Sequence, residues 1–378
     1  MKYKKQNRND KNKYKNKNKI KEKKSLIIKR KKEKEKNLEL RDLSKKQINL
    51  GIELLRMILS FLIVLVHNFS YSSSRIQQFP INNLPYYVPL FMLISFYFSF
   101  NSLSSRNIDR IKQRFIRILY PYIGWPIILW LRENYYNYKR GKKELILIKN
   151  LYYQILIGCG LHGLLWFLFN LLFLSLFFTI IVFIFKKYSI VVLFLINIFC
   201  YYFSYSKYDG EFWSQFNKIP VCHSIAPLTK NYLYSLTGFF LASINILNKY
   251  YKFRLSVMIL SGYFVYFILY YSYIDKIKSE YKGIMIDVFG VSAFSFFSMI
   301  PFDKINNKII IFIIKQITSY TGGVYYIHPK VAEIFSAKFK HIRRREFIGC
   351  IQLYLISYLI CFIGTNIFRK SNIRFLFN

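Results

Sequence analysis

The sequence is a succession of apolar runs, each about twenty residues long and separated by short polar, mostly basic segments. A run of that length, wound as a helix, crosses a hydrocarbon core of ~30 Å, and in lipid every backbone polar group must be satisfied within the segment itself. The pattern therefore predicts an all-α, polytopic integral membrane protein. A β-barrel needs alternating segments of ~10 residues, and the sequence has no such pattern. Ten spans can be drawn, at about 51–71, 84–103, 119–135, 164–185, 189–206, 229–247, 255–274, 284–301, 309–328 and 347–368.

The charge distribution orients them. Residues 1–50 hold 21 Lys/Arg against 6 Asp/Glu, leaving +15 of the net +39. The remaining cations collect in alternate connections: Arg106 to Arg117, Lys186 and Lys187, Lys249 to Arg254, Lys304 and Lys308, and Arg369 to Arg374. By the positive-inside rule these are cytoplasmic, which gives an N-in, C-in topology. Two connections on the other side, around Lys139 to Lys143 and Arg343 to Arg345, run against the rule. Residues 1–48 are too poor in apolar side chains to form a core and read as a disordered basic cytoplasmic tail that touches anionic lipid. Residues 49–370 form the membrane domain, and 371–378 a cytoplasmic C-terminus. The basic tail carries no folded recognition motif, so specific nucleic-acid binding is not expected. Five cysteines, in no CxxC or CxxH pattern, give no metal site.

Within the first run, Gly51 to Ser70, Arg56 and His67 lie eleven residues apart. Eleven helical residues rise roughly 16 Å, so one helix carries a cation near one membrane face and an imidazole toward the other. Such side chains are costly in a span and mark functional sites; the alternative is that Arg56 snorkels to the interface and His67 caps the far end. His162, His223, His328 and His341 also fall at or near the outer leaflet. Histidine is the usual general base near neutral pH. On the inner side, Arg110, Arg114 and Arg117 share one helical stripe. That stripe suits a phosphate group through bidentate guanidinium contacts, or anionic headgroups as an interfacial helix. The segment 144–163, broken by Gly158-Cys-Gly160, reads as re-entrant or interfacial.

These pieces resemble acyltransferase family 3, over about residues 49–370. The Arg56–His67 pair is similar to the family's arginine, ten residues, histidine signature. Val88-Pro-Leu-Phe-Met-Leu-Ile-Ser-Phe-Tyr97 is similar to its second-span pattern, except that Phe96 stands where the family usually has Gly. Arg114-Phe-Ile-Arg117 with Leu119-Tyr-Pro-Tyr122, Leu165-Trp-Phe-Leu168 and Gly323-Val-Tyr-Tyr-Ile-His-Pro329 resemble the openings of the third and fourth spans and a late motif. The bulk of Phe96 is expected to narrow a cavity or alter helix packing.

The resemblance implies O-acylation, with an acyl group, commonly acetyl, moving from cytoplasmic acetyl-CoA to a hydroxyl of an extracytoplasmic carbohydrate or glycan at the cell membrane. It implies Arg114, Arg117 and Arg110 as ligands of the donor phosphates, His67 as base or transient acyl carrier, and Arg56 as donor ligand or stabiliser of developing charge. His328 is a second acid/base or a structural partner. Trp166, His162 and Tyr325 face the acceptor or are structural. If the acyl group is relayed, a second polypeptide receives it. Two other readings fit the same multi-span body: a transporter or flippase of a lipid-linked glycan, with Asp287 as its main intramembrane acid, and a catalytically degenerate homologue.

Overall fold

The computed structural model describes residues 50–67, 84–141, 151–152, 155–156, 165–205, 226–245, 250–273, 279–302, 307–338 and 347–377. The basic tail, and His162, His223 and His341, lie outside them. Among the described residues the structure is helical, with no strand.

Eleven long or medium helices follow in order. They are α1 (Leu50–His67), α2 (Leu84–Ser104), α3 (Ile108–Lys139), α4 (Leu165–Phe185), α5 (Ser189–Tyr205), α6 (Ala226–Ser243), α7 (Arg254–Tyr273), α8 (Ser279–Ser298), α9 (Lys308–Thr318), α10 (Thr321–Lys338) and α11 (Phe347–Ile367). A 3₁₀ turn, Asn372–Leu376, follows α11. The run drawn as the ninth span is two helices, interrupted at Ser319 and Tyr320. Thr318 and Ser319 both turn their hydroxyls onto carbonyls of the preceding turn, at Ile314 and Lys315, and such back-bonding competes with helix continuation.

Five stretches are long and apolar enough to cross a membrane: Leu50–His67, Tyr87–Ser104, Trp166–Cys200, Tyr251–Ser272 and Ile348–Ile367, the third running through two helices. The remaining helices are shorter in apolar length or carry polar side chains. Helix α3 holds Arg110, Arg114, Arg117, Arg132 and Glu133 as well as Pro121 and Pro126. Helix α10 holds two glycines, His328, Pro329 and Glu333.

Helix α1 is central, with half of its length buried, whereas Tyr251–Ser272 on α7 is only 11% buried and presents an apolar flank outward. Helix α2 packs most extensively on α6, and also on α8. That first contact depends on Gly238, because a Cβ there would drive into the Leu93 carbonyl. One apolar core joins α1, α2, α6 and α8 through Leu55, Leu93, Tyr234 and Phe294. A second joins α2, α4, α5 and α6 through Phe96, Phe178, Leu193 and Phe239. Helices α10 and α11 pack on the other side of α1, around Val64, Val324 and Tyr354. Ser60 of α1 is 2.8 Å from the Tyr354 hydroxyl, a polar pin inside that interface.

The segment after α11 folds back onto the body. Trp125 Nε1 donates to the Leu376 carbonyl at 3.2 Å. Phe377 stacks on Phe368, with ring centroids 5.9 Å apart.

Candidate functional site

A cavity of about 690 Å³ opens between α1, α2, α3, α4 and the start of α10, within the ~300–1,000 Å³ usual for ligand pockets. Its polar wall holds Arg56, Arg110, Gln113, Arg114 and Arg117. The four arginines that the sequence singles out thus meet in one space, although Arg56 lies on a different helix from the other three.

Each is held differently. Arg56 Nη1 pairs with Glu53 at 3.0 Å, one turn back on α1. Its Nη2 donates to Thr321 Oγ1 at 3.2 Å. The Thr321 hydroxyl itself donates to the Thr318 carbonyl at 3.1 Å, so its oxygen is oriented to accept from Arg56. The interruption between α9 and α10 puts Thr321 there. Arg114 Nη1 donates to the Ser95 carbonyl at 3.1 Å, and its Nη2 donates to the hydroxyls of Ser95 and Ser175, at 3.1 and 3.2 Å. These partners are neutral, so they tie α2, α3 and α4 together and leave the positive charge uncompensated. Both Nη2 hydrogens are thereby used, and a bidentate phosphate grip by Arg114 would require breaking those bonds. Arg110 and Arg117 are exposed at the cavity's rim. Among the described residues no carboxylate pairs with Arg110, Arg114 or Arg117. Clustered unpaired cations in a concave wall focus a positive potential and favour an anionic ligand.

The far wall is aromatic. Phe167, Tyr325 and Tyr326 line it, and the Phe167 and Tyr325 rings are 5.5 Å apart. Behind Tyr325 stands His328, at a ring separation of 6.3 Å. The His67 ring is 5.4 Å from that of His328. The two histidines thus form a contact pair next to the cavity, separated from it by Tyr325. Tyr325 and His328 both come from α10, the helix whose first residue binds Arg56.

His328 is fully buried. Its Nδ1 lies 3.1 Å from the Val324 carbonyl oxygen. A carbonyl only accepts, so Nδ1 carries the proton and Nε2 keeps its lone pair. That Nε2 has no partner among the described residues. His67 is exposed at the end of α1. An accepting imidazole in contact with a more accessible one is an arrangement for holding and passing a proton.

Trp166 is not on the cavity wall; its ring packs 6.2 Å from Phe167, which is. Phe96 is not on the wall either. It turns into the second core, 4.6 Å from the Phe178 ring, and the Arg114 guanidinium lies 5.3 Å above it. The bulk at this position alters helix packing and carries a cation–π contact.

Ser95, Ser99, Ser102 and Thr321 are lining residues that the sequence reading passed over. The three serines follow a helical i, i+4, i+7 spacing, which marks one polar stripe on α2. Among the described residues no group of three or more His, Cys, Asp or Glu side chains could hold a metal ion.

The family model for the acyltransferase domain matches residues 49–368. The chain belongs to acyltransferase family 3. It is therefore a membrane acyltransferase, and the cavity, the arginine cluster and the histidine pair all lie within the matched acyltransferase domain. No curated protein and no solved structure matches this family member.

Proposed function

We propose that this acyltransferase moves an acetyl group from cytoplasmic acetyl-CoA to a hydroxyl of an extracytoplasmic carbohydrate. The observation that carries the reading is the arginine-walled cavity, uncompensated at Arg110, Arg114 and Arg117, with the His67–His328 pair standing behind its Tyr325 wall. A donor with phosphates at one end and a thioester at the other suits a space that is cationic at one end and backed by imidazoles at the other. The chain crosses the membrane ten times in this reading, N-in and C-in, with the arginine end cytoplasmic. The basic tail lies along anionic lipid, and the acceptor is a surface glycan or a glycoside.

Arg110 and Arg117 grip the donor phosphates, and Arg114 supplies field from its fixed place between helices. Arg56, steadied by Glu53 and Thr321, is a further donor ligand on the cavity wall. His67 removes the acceptor proton as the hydroxyl oxygen attacks the thioester carbon. The carbon–sulfur bond breaks, and the departing thiolate takes up the proton that left the acceptor hydroxyl. His328 fixes the orientation of His67 and holds a lone pair beside it for that proton. Trp166, Tyr325 and His162 contribute to the acceptor side.

The test is turnover of labelled acetyl-CoA by the protein in nanodiscs with membrane glycans as acceptor, wild type beside His67→Ala. Label transferred by the wild type alone supports the reading. Near-normal turnover by a folded His67→Ala removes the assigned base. A wild type that binds no acetyl-CoA removes the donor and favours a glycan transporter or a degenerate homologue.

A further inference from the structure

We propose that the 3₁₀ turn Asn372–Leu376 completes the donor site, with Arg374 contacting the 3′-phosphate of the nucleotide end of acyl-CoA and Phe375 holding Arg374 and Arg117 beside one another. The inference rests on the donor reading above and extends it to a segment outside the cavity wall and beyond residue 368, where the family match stops.

The turn is seated, not loose. Leu376 and Phe377 lie close to α3, α10 and α11 at three glycines, against the backbone at Gly323 and against side chains at the other two. A Cβ at Gly323 would strike the Phe377 carbonyl, one at Gly364 would meet the Phe377 ring at 2.7 Å, and one at Gly124 would strike Leu376. The Trp125 indole anchors the Leu376 carbonyl, and Ser371 caps the turn by accepting from the Ile373 amide at 3.2 Å. Leu376 is buried, so Phe375 and Arg374 are presented at fixed places.

Those places adjoin the donor site. The Arg117 guanidinium lies 5.9 Å from the Phe375 ring centroid, and that of Arg374 lies 5.0 Å from the same ring. The Tyr120 ring is 6.2 Å away. Both guanidinium groups lie against this one ring, and among the described residues neither has a carboxylate partner. Arg374 spends one Nη1 hydrogen on the Arg369 carbonyl at 3.1 Å. The Arg374 side chain has no other hydrogen-bond partner among the described residues, and it is only half-buried. A phosphate monoester at this ring would give Arg374 the anionic partner it lacks and take charged donors. With the thioester toward the histidines, the outermost phosphate of acyl-CoA is the one on the ribose.

The experiment compares binding of CoA and 3′-dephospho-CoA to the full-length protein in nanodiscs, for wild type, Arg374→Ala and Arg374→Lys. The expected result is that wild type prefers CoA by about tenfold or more, as for one charged hydrogen-bonded contact. Arg374→Ala loses that preference by weakening CoA alone, and Arg374→Lys recovers part of it. If wild type binds both ligands equally, or if Arg374→Ala weakens both alike, the 3′-phosphate contact is overturned while the donor reading stands. If wild type binds neither ligand, the donor reading falls and this inference falls with it.

Discussion

His328→Asn separates a chemical role for the buried imidazole from a packing role. An Asn amide nitrogen sits close to where Nδ1 is, so the bond to the Val324 carbonyl is retained, while the accepting Nε2 is deleted. The side chain is fully buried. Losing the outer ring atoms therefore leaves a small void, at a cost of ~1–2 kcal/mol of stability on the scale of core truncations. The effect on turnover is larger. A positioned acid/base contributes about 10²–10⁴-fold, or roughly 3–5 kcal/mol of barrier. A folded His328→Asn protein is thus expected to lose at least about a hundredfold in acetyl transfer, with donor affinity nearly unchanged because His328 does not line the cavity. Groups that act as a unit give non-additive losses, so His67→Ala with His328→Asn should be scarcely worse than His67→Ala alone. The assay is single-turnover transfer of labelled acetyl groups, with folding checked by thermal unfolding in the same nanodiscs. Normal turnover by a destabilised His328→Asn protein would reduce His328 to packing. Strictly additive losses would refute a shared role for the pair.

Thr321→Val keeps the shape but removes the oxygen that receives Arg56; losing one hydrogen bond to a charged group, about 1.5–3 kcal/mol, should lower kcat/KM by ten- to a hundredfold while Glu53 keeps the protein folded. Ser95→Ala with Ser175→Ala strips two hydroxyl acceptors from Arg114, and should lower the thermal midpoint more than it weakens CoA binding. Gly238→Ala forces α2 and α6 apart at Leu93 and is expected to destabilise by ~1–3 kcal/mol, the range for overpacking, read from detergent unfolding. The Glu333 carboxyl is held below the usual carboxylate range, first by the hydrogen bond from Lys330 and then by the charges of Lys330 and Arg132. Because its folded value is depressed, the stabilisation is present above the ordinary carboxylate range and is lost as pH falls through the depressed value. Glu333 is half exposed, so the effect is at most ~1 kcal/mol; Glu333→Gln should flatten that part of the stability–pH profile.

Much of the helical framework is legible in the sequence because lipid leaves the backbone few options. Apolar runs near twenty residues force helices, and each described helix overlaps a drawn span. The interruption at Ser319 is harder to see. No proline marks it, and Lys308 to Thr318 reads on smoothly into Tyr320; the hydroxyls that stop the helix act only through hydrogen bonds to the preceding turn. The arginine stripe on α3 was visible from spacing alone. That Arg56 joins it was not, since that depends on how α1 sits against α3. Ser95, Ser99 and Ser102 gave a signal, but serines in apolar helices commonly bond their own backbone, as Ser102 does to Ser99. The seating of Phe377 is tertiary in origin: nothing local in residues 371–377 announces three glycines on three other helices.

The placement of Phe96 bears on what that position tolerates. Where the resembling pattern keeps Gly, this chain has a ring wedged against Phe178 and roofed by Arg114. Its neighbours pack tightly around it, so replacing it is not neutral. Phe96→Gly would open a void beneath an arginine of the site, at ~3–5 kcal/mol for loss of a buried aromatic. At this position the ring is a packing requirement, and the glycine of the resembling pattern is the damaging substitution.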